Sequence, residues 1–104
     1  MIQLIKNLMG QQDNSELISA IESGAYLVDV RSPAEFNGGS VKGAVNIPLD
    51  SVPNQISKFK GKKGVVVFCQ SGARSGVAKG ILEKNGIQNV INGGGHSNVR
   101  KCVK

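Results

Sequence analysis

Cys69 and Arg74 stand five positions apart in the run Val65-Val66-Val67-Phe68-Cys69-Gln70-Ser71-Gly72-Ala73-Arg74-Ser75. A cysteine is a nucleophile only as its thiolate, and the pattern around Cys69 is one that makes a thiolate. Three β-branched residues and a phenylalanine precede it, which reads as a short strand buried on both faces. A helical run follows Arg74. A strand, a tight loop and a helix let consecutive backbone N–H groups converge on one anionic atom, with the helix N-terminus adding positive potential. In that loop Gly72 supplies freedom of backbone dihedrals, and Gln70, Ser71, Ala73 and Ser75 supply N–H or hydroxyl donors. Arg74 offers a planar fork to an incoming oxyanion. The chemistry this predicts is nucleophilic attack by sulfur in an anion-binding loop.

The elements that position this loop follow from hydrophobic spacing. Residues 2–9 place Ile2, Ile5, Leu8 and Met9 on one side, which fits a short amphipathic helix or a short edge strand. Asp13, Asn14 or Ser15 caps a second helix through Leu17, Ile18 and Ile21, ended by Ser23-Gly24. Residues 26–30 read as a strand. Ser32 is the expected N-cap of a helical turn opened by Pro33. A short strand over 44–47 stops at Pro48, and Leu49, Val52, Ile56 and Phe59 predict a helix to about residue 59. After the central strand, Val77, Ala78, Ile81 and Leu82 predict a helix with one apolar face, ending at Asn85-Gly86. Residues 87–91 read as a last strand, 92–96 as a loop, and the basic C-terminal residues as a poorly ordered turn. Alternating strands and helices predict an α/β fold, an open, mostly parallel sheet with helices on both faces. Asp29 to Arg31, Cys69 to Arg74 and Gly93 to His96 then fall at the C-terminal edge, where such sheets carry their functional groups.

A chain of 104 residues is one domain with room for a core. A net charge of +6 suits small anionic substrates. Nucleic acid is disfavoured, because one tyrosine, no tryptophan and no dense basic block leave neither a stacking platform nor a basic arm. Two cysteines without metal-ligand spacing point to a reducing compartment, a reactive thiol and no metal or other cofactor. No stretch is long enough to span a bilayer, and the N-terminal run lacks the apolar core and cleavage site of a signal peptide. The chain therefore reads as cytoplasmic, with no membrane partner.

Three segments in order carry a family resemblance: residues 27–36 (LVDVRSPAEF), residues 43–49 (GAVNIPL) and the loop Cys69 to Ser75. Together they resemble the single-domain rhodaneses over roughly residues 15 to 95, within a single domain of residues 1–104. The resemblance implies a rhodanese-like fold and a thiosulfate sulfurtransferase. Cys69 would take the outer sulfur of thiosulfate or a related donor as a persulfide, and cyanide, a thiol or a protein partner would accept it. Arg74 would hold the sulfonate oxygens. A sulfur carrier or interaction module, loading from and delivering to proteins, is the alternative. A phosphatase on the same fold is disfavoured: four residues separate Cys69 from Arg74, where the related dual-specificity phosphatases have five and a wider pocket. The chain departs from the family pattern at Ser40, where a histidine is common, and at Gly95-His96, where a tryptophan often follows the glycine pair.

Outside the loop the residues read as support. Asp29 at a strand end is expected to accept backbone N–H bonds and steady the loop edge. Arg31 and Glu35, four apart around a helix start, read as an ion pair. His96 reads as an exposed loop residue, with a role on the active-site rim as the alternative. Cys102 reads as a tail thiol, with a disulfide to Cys69 as the alternative.

Overall fold

The computed structural model describes residues 13–104. The amphipathic segment expected over residues 2–9 lies outside them. Helix α1 spans Ser15–Glu22, strand β1 Tyr26–Asp29, helix α2 Pro33–Asn37 and strand β2 Val45–Asn46. Two 3-10 turns, Leu49–Asn54 and Ile56–Phe59, lead to strand β3, Val65–Cys69. Helix α3 (Ala73–Lys84), strand β4 (Val90–Gly95) and helix α4 (His96–Cys102) complete the chain. The four strands form one parallel sheet in the order β2-β1-β3-β4.

β3 is central because its side chains can be buried whichever way they point. Val65, Val67 and Cys69 face a core built with Val28, Val30, Val52, Phe59, Ala78 and Leu82. Val66 and Phe68 face the opposite core, with Leu17, Val41 and Val99. The period-two alternation of a strand thus feeds two helical layers, α3 and the 3-10 turns on one face, α1 and α4 on the other. Each buried valine of this strand contributes about 1.5–3 kcal/mol. The open parallel α/β sheet with helices on both faces matches the expectation.

Five local expectations are corrected. The segment 50–59 is a pair of 3-10 turns rather than a helix, since Pro53 sits inside the first and has no N–H to donate. On α3 the buried face is Ser75, Ala78 and Leu82, while Val77 is 55% exposed. The last strand begins only at Val90 and runs through the glycines to Gly95, which pairs with Cys69 across an irregularity between Val67 and Cys69. Pairing with a central strand overrides the poor strand propensity of glycine. The C-terminal residues form α4, anchored by Val99, which is fully buried. Asn98 fastens this helix by donating to the Gly93 carbonyl at 2.9 Å and exchanging bonds with the Asn14 side chain. His96 accordingly opens a helix and is half-buried instead of lying in an exposed loop.

Candidate active site

The C-terminal ends of β1, β3 and β4 bring Asp29, Cys69 and Gly95 to one edge of the sheet. Between Cys69 and α3 the chain turns through Gly72, the helix N-cap, whose φ of 98° lies in the left-handed region that favours glycine. That turn aims backbone donors inward. Gly72 N–H donates to Cys69 Sγ at 3.0 Å and Ser75 N–H approaches it at 3.5 Å, with Ser75 Oγ at 3.4 Å. Burial alone would push the Cys69 thiol up. The Ser75 hydroxyl and the N–H groups of Ser75, Ser71 and Gly72 outweigh it and bring the thiol down from 9.0 to about 7. Cys69 itself is buried, 0% exposed. Gln70, Ser71 and Ala73 form the exposed rim.

Asn92 holds this cradle together, and the sequence reading did not single it out. Its Nδ2 donates to the Gly72 carbonyl at 3.0 Å, and its Oδ1 accepts from Gly94 N–H at 2.9 Å and from the Ser75 hydroxyl at 2.7 Å. An amide oxygen only accepts, so the single Ser75 hydroxyl hydrogen points to Asn92 and the thiol S–H is the donor toward Ser75 Oγ. Once the thiol ionises, rotation of the same hydroxyl hands its hydrogen to sulfur. The only sequence signal for this role is an asparagine next to the glycine run. Gly95 matters for a different reason: a Cβ there would stand 2.6 Å from the Gln70 carbonyl oxygen, so β4 must be bare where the loop crosses it.

Beside the loop, Asp29 and Arg31 form a buried pair. Arg31 donates from its backbone N–H and Nε to Asp29 Oδ1 and from Nη2 to Oδ2, at 2.8–3.0 Å. Arg31 Nη2 also reaches the Gly39 carbonyl, and Ser40 Oγ donates to Asp29 Oδ2 at 2.7 Å. Burial pushes the Asp29 carboxyl up, but the bonds from Arg31 and Ser40 overcome it and hold the group below its ordinary value. The hydroxyl of Ser40, the departure noted above, thus completes the carboxylate's shell. Asn46 ties the main chain of the same strand end through the carbonyls of Asp29 and Arg31. The network joins β1, β2 and the 37–43 loop.

The expected Arg31–Glu35 pair is not formed. Arg31 folds back two residues onto Asp29, and Glu35 pairs instead with Arg74, Nη1–Oε1 at 2.8 Å and Nη2–Oε2 at 3.1 Å. Ser32 and Glu35 form a capping box on α2, with Ser32 N–H and hydroxyl donating to Glu35 Oε1 and Glu35 N–H donating to Ser32 Oγ. The box turns the carboxylate toward the loop. Chiefly through the Arg74 bonds, the Glu35 carboxyl is lowered from 4.5 to about 2. Arg74 is therefore at the site, but its fork is occupied by protein. Cys102 packs into the core on the α1–α4 side of the sheet, whereas Cys69 belongs to the opposite core. A cleft of about 420 Å³ between α1, the turn before β3 and the first residues of β4 opens at the other edge, away from Cys69.

The family model described as "Rhodanese-like domain" matches residues 13–98. The chain is similar to the uncharacterized protein YqhL of Bacillus subtilis, 43% identical over 68 residues, which are 65% of this chain and 54% of that protein. It thus spans about half the length of that relative. It is similar to the thiosulfate sulfurtransferase PspE of Escherichia coli, 40% identical over 72 residues, covering 67% of this chain and 69% of PspE. Among solved structures, a rhodanese with anions from E. coli superposes with a TM-score of 0.66 at 38% identity, covering 72% of this chain and 91% of that one.

Proposed function

The chain belongs to the rhodanese-like domain family, and on that premise we propose that it is a sulfurtransferase that carries sulfane sulfur on Cys69. The observation that carries the reading is the convergence of Gly72 N–H, Ser75 N–H and the Ser75 hydroxyl on Cys69 Sγ at the start of a twelve-residue helix. Such donors stabilise a thiolate and, one atom further out, a persulfide anion. In the first half-reaction the Cys69 thiolate attacks the outer sulfur of thiosulfate or a related sulfane donor. A new S–S bond forms, the donor's own bond to that sulfur breaks, and its electron pair leaves with sulfite or the corresponding leaving group. In the second, cyanide or a thiolate attacks the terminal sulfur of the persulfide and the electron pair of the S–S bond returns to Cys69. No redox partner is needed, because the sulfane sulfur moves between nucleophiles at one oxidation level.

Initial rates with thiosulfate and cyanide varied together test this. Parallel double-reciprocal lines, lost in Cys69→Ser, are the expected result. Intersecting lines, or activity retained in Cys69→Ser, would contradict a Cys69 intermediate. Delivery of sulfur to a protein partner rather than a small acceptor is the second reading, favoured by the full burial of Cys69 and by the occupied fork of Arg74. A carrier of that kind loads once per chain and turns over slowly with cyanide.

A further inference from the structure

Arg74, five residues after Cys69 in the first turn of α3, is held by two charge-assisted bonds to Glu35. Glu35 is not free to swing away, since its Oε1 also takes both donors of Ser32. Arg31 is paired with Asp29 as Arg74 is with Glu35, so neither of these guanidiniums is left unpaired for a dianion, while Arg100 reaches the Ser40 carbonyl beside the Asp29 network. A cleft of about 250 Å³ lies against Arg74, lined by Val30, Pro33, Pro48 and Leu49 with Ser32 and Asp50. Its walls are apolar and its second charged group is another carboxylate.

We infer that Glu35 is a specificity-determining residue for the sulfur donor: it withholds Arg74 from a sulfonate, so that the site favours donors whose leaving group carries an organic body and one negative charge fewer than sulfite. This rests on the sulfurtransferase reading and names its donor class. Thiosulfate must take Arg74 from Glu35 before its oxygens are bound. A thiosulfonate, with an organic group in place of one sulfonate oxygen, and a thiol persulfide each release a leaving group with one negative charge fewer, and their organic body matches the apolar cleft. Loading follows the same balanced step for each donor, with the electron pair leaving on sulfite, on a sulfinate or on a thiolate.

The test is the rate of Cys69 sulfur loading, followed by intact mass, with thiosulfate and with benzenethiosulfonate as donors. The wild type is compared with Glu35→Gln, whose amide oxygen keeps the capping box while its charge is gone. The ratio of the two loading constants, thiosulfate over benzenethiosulfonate, is expected to rise about fivefold in Glu35→Gln, the scale of a part-exposed ion pair. A loss of folded protein scales both constants and leaves the ratio alone. A ratio that stays put, or falls because Glu35 was aligning Arg74 for the sulfonate, overturns the inference while sulfur loading itself stands. Failure of the wild type to load from either donor would instead sink the sulfurtransferase reading, and this inference with it.

Discussion

At the scale of single residues, Cys69 is defined by how many donors face one sulfur atom. With its thiol lowered to about 7, the folded protein favours the thiolate more than the unfolded chain does. The stability this contributes is full above the ordinary thiol value near 9 and is lost as pH falls through about 7. Alkylation of Cys69 by iodoacetamide is therefore expected to rise with pH through a midpoint near 7, read residue by residue by mass spectrometry of peptides. Ser75→Ala removes the hydroxyl and should move that midpoint up; an unmoved midpoint would mean that the hydroxyl does not act on sulfur. Asn92→Asp replaces the donor to the Gly72 carbonyl by a carboxylate and adds negative charge behind the loop. A rise of about one unit in the thiol midpoint follows, which at pH 7 leaves about fivefold less thiolate and loading slower by the same factor. Unchanged loading would remove Asn92 from the site's support. Cys69, Ser75 and the Ser32 cap were legible because each acts within a few residues of itself. The Glu35–Arg74 pair, 39 positions apart, and Asn92, 17 beyond Ser75, depend on how distant strand ends meet. Nothing local in the sequence announces either.

At the scale of elements, the same contrast separates what the residue pattern shows from what packing decides. The valine run could only be a central strand, and β3 is one. The segment 50–59 has helical apolar spacing, yet Pro53 breaks the hydrogen-bond ladder and leaves two 3-10 turns. The glycine run could not be read as strand from propensity, because its pairing partner, β3, supplies the reason. Helix α4 was hidden in a polar, basic tail whose apolar residues, Val99, Cys102 and Val103, are only three. Their spacing is helical, and Val99 seals the core against Phe68 and Leu17. Val99→Ala is expected to cost about 2 kcal/mol by the burial lost and the cavity left. Urea unfolding measures it; a cost near zero would return the C-terminal residues to an ordered-by-nothing tail.

At the scale of the whole molecule, the alternation of strands and helices was enough to place three clusters on one sheet edge, and the parallel sheet does so. The sheet also acts as a partition. Cys69 faces the α3 core and Cys102 the α1–α4 core, so oxidation is expected to give no bond between them. Non-reducing peptide mapping after peroxide treatment checks this, and a Cys69–Cys102 crosslink would require the layers to come apart. The partition leaves Cys69 with the loop's own donors, and the sulfur transfer proposed for it is the chemistry they support.

The most direct test of that chemistry is the intact mass of the protein after brief exposure to a sulfane donor, thiosulfate or benzenethiosulfonate, for wild type and Cys69→Ser. The account predicts a gain of one sulfur atom in the wild type, none in Cys69→Ser, and its loss on adding cyanide. A folded wild type with reduced Cys69 that gains no sulfur from either donor, or a Cys69→Ser protein that gains it equally, would contradict the account.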